Sequence, residues 1–134
     1  MKKTGIINSA ISMIIAQLGH SDMLTVADAG LPIPSTTQRI DLALKAGVPG
    51  FLETLEVVLS EMHAEKAYVS QDILIKSPQI YAGIQKLLGD IVIQTLPHQE
   101  FKRLTGSTKA IIRTGEFTPF ANIILVAGAW GFGL

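Results

Sequence analysis

The chain predicts an α/β fold: a single domain over residues 1–134, with a mostly parallel sheet covered by helices on both faces in three α/β/α layers. Three observations carry this. Short apolar runs of strand length recur along the chain, as in Met23–Ala27, Ala110–Arg113 and Ile123–Val126. Between them lie stretches whose apolar residues repeat at helical spacing. Glycine and proline punctuate the junctions, which is the pattern of a sheet wound by helices.

Taken in order, Ile11, Ile14, Ile15 and Leu18 form the stripe of an amphipathic helix, with Ser9 available to cap its start and Gly19 to end it. Met23–Ala27 is a short strand that stops at Asp28. The Ala29-Gly30-Leu31-Pro32-Ile33-Pro34 segment continues neither strand nor helix, because proline lacks an amide donor and glycine loosens the backbone. Ile40–Leu44 is a second expected strand. Pro49 suits the first turn of a helix, and Phe51, Leu55, Val58, Leu59 and Met62 give that helix its apolar stripe. Ala67–Ser70 is strand-like. Pro78–Leu88 is expected as helix, started by proline and stopped by Gly89. Ile91–Thr95 follows as strand and Gln99–Leu104 as a short helix. Ala110–Arg113 and Ile123–Val126 complete the sheet.

At 134 residues, 48% of them hydrophobic, the chain has enough apolar material for one sizeable core. Eleven basic residues balance eleven acidic ones, so no net charge attracts nucleic acid or an anionic membrane. The absence of cysteine excludes disulfides and cysteine-ligated zinc, and fits a cytoplasmic location. Lys2 and Lys3 precede an apolar stretch, but Asn8, Ser9 and Ser12 interrupt it and no small-x-small cleavage site follows, which argues against a signal peptide. No run reaches the ~18 apolar residues of a membrane span. A mean hydropathy of +0.39 leaves few charges to cover the surface, so burial between subunits is expected.

Familiar catalytic motifs are missing. There is no dinucleotide fingerprint, no Walker A loop and no nucleophile elbow. The glycine-rich Gly128–Gly133 stretch has no helix after it to hold a phosphate. The three histidines lack metal-ligand spacing, so no metal is expected.

In parallel sheets ligands collect at the carboxyl ends of strands. This directs attention to Asp28, His98 and Asn122, and to His20 beside the first strand. Histidine titrates near pH ~6.5, and the negative end of a preceding helix favours a cation there. His20 is thus either a proton-transfer group or a helix-capping histidine. Asp28 either binds a ligand or bonds the amides of its own Gly-Pro loop. His98 and Asn122 have local capping and turn roles as alternatives. His63 is expected as solvated surface.

The motifs that decide between these readings are Leu18-Gly19-His20-Ser21-Asp22, Asp28-Ala29-Gly30-Leu31-Pro32-Ile33-Pro34, Arg39-Ile40-Asp41-Leu42-Ala43-Leu44, Pro97-His98-Gln99-Glu100-Phe101-Lys102 and Arg113-Thr114-Gly115-Glu116, followed by Pro119-Phe120-Ala121-Asn122. Through them the chain resembles the ribose pyranase and fucose mutarotase family along essentially its whole length. The resemblance implies an isomerase of D-ribose catabolism that interconverts β-D-ribopyranose and β-D-ribofuranose in the cytoplasm, functionally linked to ribokinase and ribose uptake. It implies no cofactor, and a homodecamer of two pentamers with its sites at subunit interfaces. His20 matches the family's proton donor. Asp28, His98, Phe120, Ala121 and Asn122 match its substrate-binding positions. Lys102 and Glu116 are candidates for supporting roles.

Phe120 departs from the tyrosine that the family usually carries, and loses a hydroxyl worth roughly 0.5–1.5 kcal/mol in a neutral hydrogen bond. The tail from Gly128 to Leu134 is longer and richer in glycine than is usual in the family. Two other readings remain: a mutarotase acting on fucose or another monosaccharide, and a non-catalytic sugar-binding accessory of ribose uptake.

Overall fold

The computed structural model describes residues 1–133. Its elements are α1 (Ser9–Gln17), β1 (Met23–Ala27), β2 (Gln38–Asp41), α2 (Phe51–Leu59), β3 (Ala64–Ser70), α3 (Ile73–Lys76), α4 (Pro78–Leu88), β4 (Val92–Leu96), α5 (His98–Thr105), β5 (Ala110–Arg113) and β6 (Ile123–Ala127). The strands form one six-stranded sheet in the order β2-β5-β1-β6-β3-β4. β5 lies parallel to both β1 and β2, and β3 is parallel to β4. β6 joins the two parallel groups by running antiparallel to β1 and β3.

The period of two along each strand sorts side chains between the layers. Leu24, Val26, Ala67, Val69, Ile112, Ile123 and Leu125 share one core cluster with Phe51, Leu55 and Val58 of α2, Ile84 and Leu88 of α4, and Ile11 and Ile14 of α1. On the opposite side Ala27, Ile111 and Ile124 pack with Phe101 of α5 and with Leu31. Helices therefore cover both faces, as the sequence predicts. Each fully buried Leu, Ile or Phe contributes on the order of 1.5–3 kcal/mol, so both layers are needed. Phe101 is fully buried on α5 and, with Leu104 packed beside it, anchors that helix to the sheet.

Several boundaries differ from expectation. Asn8, not Ser9, caps α1, its side chain accepting from the Ile11 amide at 3.0 Å. β2 lies earlier than Ile40–Leu44: its pairing with β5 runs from Gln38 opposite Ala110 to Asp41 opposite Arg113, and Ile40 is its one buried residue. α2 begins at Phe51, two residues after Pro49. β3 starts three residues before Ala67 and includes a register shift between Ala64 and Lys66. The short helix α3 has no counterpart in the sequence reading. Leu134, at the end of the glycine-rich tail, lies outside the described residues.

Candidate functional site

The antiparallel insertion of β6 sets the geometry of the site. It brings the start of β6 beside the end of β1, with Val26 opposite Ile123. The carboxyl end of β4 leads directly into α5, and β5 ends at Arg113 next to β1. Asp28, His98, Arg113, Glu116, Phe120 and Asn122 thereby line one cleft of about 460 Å³, together with Lys102, Thr118 and the Ala29–Pro32 loop.

Asn122 is almost wholly buried and serves Asp28 twice. Its Oδ1 accepts the Asp28 backbone amide at 2.8 Å, and its Nδ2 donates to Asp28 Oδ2 at 3.0 Å. The other carboxylate oxygen accepts the Gly30 amide at 3.0 Å. Burial pushes the Asp28 carboxyl above its ordinary range, although bonds from Gly30, Asn122 and Leu31 and the nearby His98 pull against it. A partly desolvated carboxylate of this kind is a better base than an exposed one.

His98 is the first residue of α5, but no side chain caps that helix and the ring turns to other partners. Its Nδ1 lies 3.1 Å from the hydroxyl of Ser70, at the end of β3. The Phe101 ring lies parallel to it at 6.4 Å, and the Phe120 ring meets it edge-on at 4.9 Å. Phe120 adopts φ 63°, a left-handed conformation that costs a bulky residue about 1–2 kcal/mol. The tight turn it makes is closed by the Asn122 amide on the Phe120 carbonyl at 2.9 Å. Ala121, fully buried behind it, joins the core.

The wall formed by Glu116 is built from its surroundings. Glu116 accepts from the Phe51 amide at 3.0 Å, and from the Thr118 hydroxyl at 2.7 Å. Burial works to raise this carboxyl, but those bonds, with the Thr118 and Phe117 amides, outweigh it and hold the group below the ordinary glutamate range. Gly115 is needed here, since a Cβ would overlap the carbonyl oxygens of Val48 and Lys45. Arg113 clamps the other side through its Nε to the Ala29 carbonyl at 3.0 Å and Nη1 to Asp41 at 3.2 Å.

His20 lies elsewhere. It occupies the second position of a tight turn, closed by the Asp22 amide on the Gly19 carbonyl at 3.1 Å, in which Ser21 takes φ 74°. Gly19 has no positive φ, so it does not end α1 in the expected way. Nor does the imidazole cap that helix: its Nε2 meets the Glu65 carboxylate at 3.1 Å. His20 shares a separate groove with Leu18, Met62, His63, Trp130 and Phe132. β1 stands between this turn and Asp28, a separation of about 13 Å from strand rise alone. His63 is exposed as expected, with its ring against Trp130 at 5.2 Å.

Within one chain, then, Asp28, His98, Phe120 and Asn122 come together and His20 does not join them. Of the residues the sequence reading left out, Ser70 and Arg113 matter most to the geometry, and Glu65 faces His20. Only Arg113 carries a signal in the sequence, as the charge that ends the Ala110–Arg113 strand and opens the Arg113-Thr114-Gly115-Glu116 motif. Among the described residues no three His, Cys, Asp or Glu side chains are grouped to hold a metal, and no helix is long and apolar enough to cross a membrane.

Comparison with known proteins identifies the family of the chain. The model of the RbsD / FucU transport protein family matches residues 1–130. The chain belongs to that family. Among RbsD / FucU relatives, D-ribose pyranases from Coprothermobacter proteolyticus and Chloroflexus aggregans are each 49% identical to it over 128 residues, covering 96% of this chain and 98% of the relative. The structure of Bacillus subtilis RbsD complexed with D-ribose superposes with a TM-score of 0.94 at 46% identity, over 96% of this chain and 98% of that one. A fucose mutarotase from Streptococcus pneumoniae, solved with L-fucose, shares the fold at a TM-score of 0.79 and 23% identity, over 92% and 94% of the two chains.

Proposed function

We propose that this protein is an isomerase acting on D-ribose, interconverting its β-pyranose and β-furanose forms. The observation that carries the reading is the near-full-length identity of almost half to D-ribose pyranases, joined to the close fit with a ribose-bound relative. The cleft suits such a ligand. It combines acceptors on Asp28, donors on Lys102 and Arg113, and the apolar face of Phe120 in a space of about 460 Å³. A monosaccharide presents hydroxyls and an apolar ring face together, so each of these groups finds a counterpart. The likeness to a fucose mutarotase, at 23% identity, supports the fold alone.

Asp28, His98, Phe120, Ala121 and Asn122 are the substrate-binding set, with the fully buried Ala121 acting by fixing its neighbours Phe120 and Asn122, which line the cleft. His20 is the proton-transfer group. Because His20 and Asp28 stand at opposite ends of β1, the working site is composite: His20 of one subunit closes the cleft of its neighbour. Exposed Leu44, Phe117, Trp130 and Phe132 give the chain apolar surface that assembly would cover, in keeping with a homodecamer of two pentamers.

The chemistry then follows. The His20 imidazolium gives its proton to the ring oxygen as the C1–O5 bond breaks, and the electron pair of that bond goes to the oxygen. The anomeric hydroxyl proton passes to the Asp28 carboxylate, whose burial makes it the more basic, and C1 becomes the aldehyde. Attack of the C4 hydroxyl on C1 closes the furanose, with the proton movements reversed. No cofactor takes part. The protein acts in the cytoplasm, where its furanose product is the form ribokinase uses.

Magnetisation-transfer NMR on equilibrated D-ribose tests the reading. Added protein should speed pyranose–furanose exchange for ribose more than for fucose. Unchanged exchange with ribose would leave a binding protein and no enzyme.

A further inference from the structure

We propose that Ser70 is a positioning residue: it holds His98 in the tautomer that carries its proton on Nε2, so that this N–H is presented to an oxygen of the bound sugar. The inference rests on the reading above that His98 contacts the substrate.

Ser70 ends β3 and is fully buried. Its Oγ has two described partners, His98 Nδ1 at 3.1 Å and the Asp72 backbone amide at 3.3 Å. The amide only donates. The hydroxyl has one proton to give, and the acceptor that remains for it is Nδ1. A neutral imidazole whose Nδ1 accepts carries its proton on Nε2. In the reverse tautomer the ring would donate to Oγ as the amide already does. The buried hydroxyl proton would then have no acceptor, which is the costlier arrangement.

Tautomer alone does not aim a ring; its rotation must also be held. Phe101 lies parallel to the imidazole within 8°, and Phe120 abuts it at 84°. With Nδ1 tied to the buried end of β3, Nε2 is the ring nitrogen without a described protein partner, and His98 lines the cleft beside Asp28. An ionised Asp28 only accepts. A fixed Nε2–H supplies the complementary donor, so the two side chains read opposite polarities on a polyol. The hydroxyl of Ser70 thus acts on the sugar through His98 without touching it.

Long-range ¹H–¹⁵N correlation spectra of the histidine rings, recorded on the assembled protein at alkaline pH, read the tautomer directly. The wild-type His98 ring should show an accepting Nδ1 and a protonated Nε2; a protonated Nδ1 overturns the proposal without any variant. Ser70→Ala should give mixed tautomers and raise the KM for D-ribose about three- to tenfold, the effect of one neutral hydrogen bond, with kcat changed less. Ser70→Thr returns the hydroxyl and should restore both readouts. A single Nε2–H tautomer in Ser70→Ala overturns the role of Ser70. A changed tautomer with unchanged KM overturns the sugar contact of His98 instead, so the two failures are told apart.

Discussion

Asn122 grips Asp28 at two points, accepting its backbone amide at 2.8 Å and donating to its carboxylate at 3.0 Å. The residues are 94 positions apart in sequence and meet because β6 starts where β1 ends. Sequence reading placed Asn122 among the substrate ligands. Its burial and its two bonds make it first of all the support of Asp28, with the rest of its amide free to face the cleft.

Removing that support has two separable consequences. Asn122→Ala leaves the Asp28 amide without its acceptor and should destabilise the protein by about 1–3 kcal/mol, read from urea midpoints. Asn122→Asp keeps the shape but sets a second carboxylate about 3 Å from the first. Like charges at that distance raise the Asp28 carboxyl further, so the acid limb of the ribose exchange rate should move to higher pH. An unmoved limb would remove Asp28 from the proton pathway.

Stability should follow pH in opposite directions at the two carboxylates of the cleft. Glu116 is held below its usual 4.5, so its contribution is present above that value and is lost as pH falls through the lower folded value. Asp28 is raised above its usual 3.8, so its contribution is present below that value and is lost as pH rises through the higher folded one. Glu116→Gln should therefore lower the urea midpoint at pH 7, with the gap from wild type closing in the acid range below 4.5. A gap that is constant with pH would point to lost packing in place of lost charge.

Much of the fold is legible in the sequence where local signals and burial agree. β5 and α4 fall where expected, because Ala110–Arg113 is an uninterrupted apolar run closed by a charge and α4 is bracketed by Pro78 and Gly89. The direction of β6 is not legible, since Ile-Ile-Leu-Val packs equally well pointing either way. Ile73-Leu74-Ile75-Lys76 is too short to show a helical period and has no counterpart in the sequence reading, yet it closes into one turn of helix with Ile73 buried. The separation of His20 from Asp28 is implicit in a five-residue strand between them, but a motif match places both in one site and says nothing of which chain supplies each.

Phe120 combines a strained backbone with an edge contact to His98. Phe120→Tyr keeps ring, turn and contact and adds only a hydroxyl. If the sugar lies against this residue, the added bond should lower the KM for D-ribose about three- to tenfold, with the urea midpoint unchanged. Substitution without effect on KM would confine Phe120 to holding His98.

A site shared between subunits, as proposed above, makes a sharper prediction. His20→Ala changes a half-exposed side chain whose described partner is the surface carboxylate Glu65, so it should leave the fold and urea midpoint intact while abolishing exchange. Asp28→Ala should likewise be inactive. If one working site takes His20 from one subunit and Asp28 from the next, co-refolding the two inactive variants at equal concentration creates sites in which both residues are native. Random mixing gives each site a one-half chance of a native His20 and, independently, one half of a native Asp28, so about a quarter of wild-type exchange should return. A site built within one chain gives a different result, because every chain then carries one defect and no mixture recovers activity. Magnetisation transfer on ribose before and after co-refolding distinguishes the two, and separately refolded variants, mixed only afterwards, control for recovery that does not depend on shared assembly.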